Sequence, residues 1–222
     1  MPEFMGVKIT RSQESARHAY CRALEKAVRA AARGTGWRPV QGCLLREQSG
    51  WFVSVNPSVA IFEETTKALV SAKPMEIDPL FWDMVGLTDN NKAPLSFRFN
   101  GVWSLRPPYF SEIEISEDQD TSLVAGRLLC AADEQFARVV EGWSKEAFLH
   151  ACIASNEQSA GSRYLACVIT TLVALGRSHE ALIACDEART KGLEGGFLAP
   201  QGSFTHMASD WIRASLAKAT RH

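Results

Sequence analysis

Two hexapeptides set 34 residues apart constrain this chain more than anything else in it. Gly142-Trp-Ser-Lys-Glu-Ala147 and Gly176-Arg-Ser-His-Glu-Ala181 agree at four of six positions. An offset of that size is the length of one helix–turn–helix unit repeated in tandem. Each glycine ends an apolar helical stretch, where a left-handed C-cap residue is wanted. Each serine then stands where a new helix wants an N-cap oxygen, with Glu146 and Glu180 in its positive first turn. The alignment predicts two helical hairpins, with helices near 121–141, 144–157, 162–175 and 178–191, and sets Ala147 and Ala181 at equivalent helix–helix contacts. A glycine-rich loop from Gly192 to Gly202 leads to a last helix near 203–219, whose Phe204, Met207, Trp211 and Leu216 would cap one end of the stack.

The first half reads differently. Thr10-x-x-Gln13 is a capping-box pattern, and Ala16, Tyr20, Ala23, Leu24, Ala27 and Ala31 share one face of the helix it opens. From Trp37 the period falls to two: Val40, Gly42, Leu44 and Arg46 alternate with Gln41, Cys43 and Leu45 in a strand. Ser49-Gly50 is a turn, and Trp51, Val53 and Val55 follow on one strand face. Asn56-Pro57-Ser58 predicts a break or bulge, because proline cannot donate to a central ladder. Thr65 to Ile77 reads as an edge or terminal strand ending near Pro74. Asp78-Pro79 has the form of a helix start, with Asp78 as N-cap and Pro79 first in the helix. Leu95, Phe97 and Phe99 alternate as a further strand, Asn100-Gly101 as a turn or bulge, and Ile113 and Ile115 as a last strand with Glu112 and Glu114 on its wet face. Short connections favour an antiparallel sheet, since parallel strands need long crossovers. The fold class is α+β: an N-terminal helix and antiparallel sheet over 6–116, then an all-α helical-hairpin region over 121–222, with the polar stretch from Ser116 to Ser122 as the boundary.

Several function classes lose support. A net charge of −1 gives no overall pull toward nucleic acid or membrane. No stretch stays apolar for the about 18 residues of a membrane span. The N-terminus carries no basic region followed by an apolar one, and Met1-Pro-Glu-Phe before Met5 reads as a cloning scar. The six cysteines form no C-x-x-C pair and read as free thiols in a reducing compartment, so the expected location is the cytoplasm. His18, His150 and His179 fall in helices without an H-E-x-x-H arrangement, and Gly161-Ser162 lacks a nucleophile elbow. Asp78 and Asp83 are explained by capping and by an exposed position. The sequence therefore predicts no catalytic residues, no metal site and no cofactor.

Two features remain as candidate partner-binding groups. Residues 8–46 hold nine basic side chains and two acidic ones, whereas 112–120 hold five acidic side chains and no basic one. Opposed charge patches speed encounter and select partners, which makes Glu112, Glu114, Glu117, Asp118 and Asp120 the candidate surface. Six tryptophans are many for 222 residues, and Trp51 and Trp103 are the candidate aromatic anchors.

The helical half resembles tetratricopeptide repeats, on the 34-residue hexapeptide match; the first helix of the second unit lacks that family's early Trp and Leu-Gly pair. The sheet half is similar to bacterial immunity proteins directed against polymorphic or type VI secreted toxins. The opening helix, Trp37 to Arg46, Gly50-Trp51-Phe52, the run from Lys73 to Trp82 and Leu95-Ser96-Phe97-Arg98-Phe99 carry that likeness over roughly 8–115. The resemblance implies a cytoplasmic, non-enzymatic protein that binds and occludes a cognate protein toxin, a nuclease where an acidic surface does the occluding. A repeat-type adaptor or chaperone for a secreted effector, and an enzyme with an unread site, are the competing classes.

Overall fold

The structure, a computed structural model, describes residues 10–58, 66–100, 104–115, 120–159, 162–196 and 198–219. The fold is α+β: an N-terminal helix, a five-stranded antiparallel sheet, then a run of helices. Helix α1 (Arg11–Ala31) opens on the expected capping box, in which Gln13 N donates to Thr10 Oγ1 at 3.3 Å and Thr10 N donates to Gln13 Oε1 at 2.9 Å. Two such bonds satisfy donors that the first helical turn leaves without intrahelical partners.

The sheet runs β1 (Arg38–Val40), β2 (Cys43–Gln48), β3 (Trp51–Ser58), β4 (Thr66–Pro74), β5 (Tyr109–Ile115), and its spatial order follows the chain. The single strand expected from Trp37 to Arg46 is in fact a hairpin. Gln41 and Gly42 both take positive φ, 49° and 82°, and set Val40 opposite Cys43. Ser49 and Gly50 do the same, at 54° and 79°, in the turn the sequence anticipated. Two consecutive positive φ values make the turn whose twist matches the strands it joins. The break expected at Pro57 does not occur before Ser58, where β3 ends. Nor is β4 an edge: it lies between β3 and β5, with Pro74 as its last residue, where a missing donor disturbs the ladder least.

Helix α2 (Ile77–Met84) starts two residues earlier than the Asp-Pro signal implies. Glu76 is its N-cap and makes no side-chain cap bond, so Asp78 is not the cap. Pro79 costs nothing there, because the first four helical N–H groups have no intrahelical acceptor anyway. A 3₁₀ turn follows at Thr88–Lys92. The strand expected over Leu95–Phe99 is instead a turn leading into the short helix α3 (Phe97–Asn100). Its backbone closes through bonds three residues apart, from Phe97 N to Pro94 O, Arg98 N to Leu95 O and Phe99 N to Ser96 O. Trp82 explains the preference, since a helical turn lays Phe97 beside its ring, with centroids 6.2 Å apart.

Helices α4 (Thr121–Gly142), α5 (Lys145–Gln158), α6 (Leu165–Ala174), α7 (Ser178–Thr190) and α8 (Phe204–Ala219) match the expected spans closely. A two-strand ribbon, β6 (Leu198–Ala199) and β7 (Gly202–Ser203), precedes α8 in the loop that the sequence left irregular. The two hexapeptides are not equivalent. Gly176 has φ 74° and closes α6 in a Schellman motif, with Arg177 N bonded to Leu172 O and Gly176 N to Val173 O, both 2.9 Å. Gly142 is the last residue of α4 and has no positive φ. Ser144 caps α5, accepting from Ala147 N at 3.1 Å, whereas Ser178 is already inside α7. The helix starts thus differ by one residue, which rotates the buried face. Ala181 is fully buried and Ala147 is exposed. The buried faces superpose at an offset of 33, Phe148 with Ala181 and Cys152 with Cys185.

The chain forms two compact units, interleaved in sequence. The first comprises Met1–Arg46, Val53–Ser71 and Tyr109–Val140. Its core includes Val28, Leu44, Val53, Val70, Leu128 and Phe136. There Asp133 accepts from Trp37 Nε1 at 2.9 Å and from Arg46 Nη1 at 2.8 Å, and the Arg46 guanidinium lies 4.2 Å above the Phe136 ring. The second comprises Glu47–Phe52, Ala72–Pro108 and Glu141–His222. In it α5, α6, α7 and α8 pack each on the next, α2 packs on α6 and α8, and Phe81 meets Phe204 at 5.5 Å.

Candidate partner-binding surface

Tyr109-Phe-Ser-Glu-Ile-Glu-Ile alternates as a strand with one wet face should, and β5 pairs with β4 from Thr66 opposite Ile115 to Val70 opposite Ser111. The register then shifts, so that Ser71 faces Tyr109 and Phe110 is the extra residue of a bulge. In the regular part Lys67 stands opposite Glu114, and Leu69 opposite Glu112. Both glutamates are exposed. Lys67 Nζ reaches diagonally to Glu112 at 3.0 Å, a pair whose side chains retain 35% and 53% of their surface. Screening at that exposure limits such a pair to about 1 kcal/mol or less.

Asp120 is exposed as well and has a local duty: its carboxylate accepts from Ser122 N at 2.8 Å, in the first turn of α4. Glu117, Asp118 and Trp103 lie outside the described residues. Trp51, expected as an aromatic anchor, is buried, with 8% of its surface accessible. Its ring meets Trp143 at 5.9 Å and Phe148 at 6.3 Å, both edge-on, so it fills the core of the second unit. The structure therefore brings Glu112 and Glu114 together on one strand face and turns Trp51 inward.

A second ionisable cluster escaped sequence reasoning. Lys73 and Asp78 are both fully buried. Lys73 Nζ donates to Asp78 Oδ1 at 2.8 Å, to Arg98 O at 2.8 Å and to Leu105 O at 2.7 Å, which uses all three ammonium hydrogens. Asp78 Oδ1 also accepts from Leu105 N at 3.2 Å, and Oδ2 from Arg98 Nη1 at 3.1 Å, while Arg98 Nη1 donates to Met75 O at 2.9 Å. Burial pulls the Lys73 pKa down, and the Asp78 carboxylate pulls it back up. A depressed lysine can mark a nucleophile, but this one has neither solvent access nor a hydrogen to spare. The cluster ties the end of β4 to α2, α3 and the 104–105 segment. Lys73 and Asp78 are five residues apart and Arg98 lies twenty further on, and no spacing rule announces a cluster that only the fold assembles.

The cysteines are free thiols: Cys43, Cys152, Cys167 and Cys185 are buried, Cys21 is half-buried and Cys130 exposed. Among the described residues no group of three or more His, Cys, Asp or Glu side chains could hold a metal ion. Asp83, read as exposed, is half-buried on α2. Among the described residues no helix is long and apolar enough to cross a membrane. No protein-family model, curated protein or solved structure matches this chain.

Proposed function

We propose that this protein is a cytoplasmic bacterial immunity protein that neutralises a cognate secreted toxin by binding and occluding it, without catalytic turnover. The observation that carries this reading is the pair of outward carboxylates, Glu112 and Glu114, on the wet face of β5. They lead into a segment where Glu117, Asp118 and Asp120 continue the negative charge. A surface of that sign suits a basic partner, and a nuclease, whose active site is built to hold phosphate, is such a partner. The partner is thus a protein; nucleic acid and membrane are not targets.

Co-expression with the toxin encoded by the neighbouring gene tests the reading. The expected result is a complex that survives purification and cells that grow when the toxin is induced. A toxin that neither co-purifies with the wild-type chain nor is neutralised by it removes the proposal. The second reading, an adaptor or chaperone for a secreted effector, is favoured by Ile153 on α5 and Ile183 on α7, which keep 36% and 58% of their surface exposed. Under that reading an Ile153→Ser/Ile183→Ser variant loses the partner, while Glu112→Lys/Glu114→Lys keeps it.

A further inference from the structure

The two ends of the sheet are not alike. At one end β1 is three residues long and contains Pro39, and both shortness and proline discourage a further strand from pairing. At the other end β5 is seven residues long, and among the described residues no strand pairs with its outer side. None of its side chains from Tyr109 to Glu114 is buried, whereas the adjacent β4 is buried from Val70 to Pro74. Tyr109 keeps 46% of its surface. The bulge at Phe110 confines the irregularity to one end and leaves the stretch from Ser111 onward regular. A regular, β-rich, exposed edge is the template on which an extended segment adds as a strand.

We propose that β5 is a docking edge, and that its occupant is an extended basic segment of the partner protein, with Lys or Arg at every second position, which adds to the sheet as a further strand. The proposal rests on the reading that the protein acts by binding a partner, and names the element of that partner which docks. Charge decides the occupant. A second copy of β5 fits badly. Antiparallel self-pairing that keeps like faces together, centred anywhere between Ser111 and Glu114, sets a glutamate opposite or diagonal to another carboxylate. The remaining registers place the carboxylates on the face that carries Ile113. A strand with alternate cations instead sets one opposite or diagonal to both Glu112 and Glu114. Lys67 already does this from the inner side, reaching Glu112 diagonally across the ladder at 3.0 Å. Backbone bonds along the edge supply affinity, and the two carboxylates fix face and register.

The probe is an acetylated, amidated peptide of four Lys-Val repeats, titrated into the full-length protein by calorimetry and amide NMR. The expected result is saturable binding with amide shifts and exchange protection centred on residues 109–115. The same peptide methylated at every backbone nitrogen keeps all its charges and loses every backbone donor, and its affinity should fall at least tenfold. Glu112→Lys/Glu114→Lys should weaken the unmethylated peptide by a similar factor. No binding of the parent peptide, equal binding of the methylated one, or protection elsewhere overturns the proposal. Wild-type co-purification with the neighbouring toxin is read separately. A complex that persists while the peptide fails sinks the docking edge alone, and loss of the complex sinks the binding reading itself.

Discussion

Lys73 shows how little freedom a buried charge has. Its ammonium is out of water, and it stays in the fold because Asp78 and two carbonyls accept all three of its hydrogens at 2.7–2.8 Å. Removing one member strands the other, which costs far more than the pair gains over an apolar replacement. Lys73→Met should therefore destabilise the protein by about 3–5 kcal/mol, measured as a lower urea midpoint with an unchanged m value. A second residue, Cys43, makes a pH prediction. Burial, helped by the nearby Glu25 carboxylate, raises its thiol from 9.0 to about 11, and Cys43 Sγ donates to Asn56 Oδ1 at 3.2 Å. The folded chain thus holds a proton that the unfolded chain releases first. Stability from this group is complete below pH 9.0 and falls as pH rises toward about 11, with a slope of at most about 1.4 kcal/mol per pH unit. Urea unfolding at pH 8.5 and 10.5 should show a steeper loss for the wild type than for Cys43→Ala; equal slopes would refute the assignment. Neither residue was legible beforehand. In the sequence Cys43 reads as one thiol among six, and Asp78, the partner of Lys73, reads as a helix cap because Asp-Pro is a strong local signal. Three tertiary donors outweighed it.

At the scale of elements, local chemistry was a good guide wherever it was cooperative. The capping box on α1, the Ser49-Gly50 turn, the Gly176 terminus and the long helices are all signalled by several residues that agree. The failures came from short runs. Five residues of alternating pattern around Phe97 satisfy a strand and a helical turn equally, and contact with Trp82 chose the turn. The hexapeptide identity at 34 residues is a pattern of letters, while burial follows helix phase and repeats at 33. One consequence is directly measurable. Ala181 lies fully buried on α7, which packs against α6 and α8, so Ala181→Phe should overpack it and cost about 1–3 kcal/mol. Ala147→Phe, at the letter-equivalent but exposed position, should leave the melting temperature within about 1–2 °C, since an exposed substitution moves stability by less than about 0.5 kcal/mol. Equal losses in the two variants would restore the 34-residue equivalence.

At the scale of the molecule, the α+β plan is readable because the hydrophobic period falls from three or four to two near Trp37 and returns to three or four near Asp120. The division into interleaved units was not, because it depends on which segments condense together. The surface follows the same rule. The sequence places Glu112 and Glu114 on one side of a strand, but the structure adds that this strand is the sheet's last and that Lys67 holds one of the two carboxylates. Charges on such an exposed rim act through the encounter step. They raise association rates through a field that salt screens over about 8–10 Å. Reversing both in Glu112→Lys/Glu114→Lys should slow association with the proposed toxin by about tenfold at low salt and flatten the salt dependence of the rate, while loss of the exposed Lys67–Glu112 pair and the new like charges beside Lys67 lower stability by about 1 kcal/mol. Stopped-flow association at 20 and 200 mM salt makes the comparison. If the wild-type rate itself is insensitive to salt, the carboxylates lie away from the interface. If the variant slows equally at both concentrations, they contribute by direct contact, and the fault then lies with the steering argument.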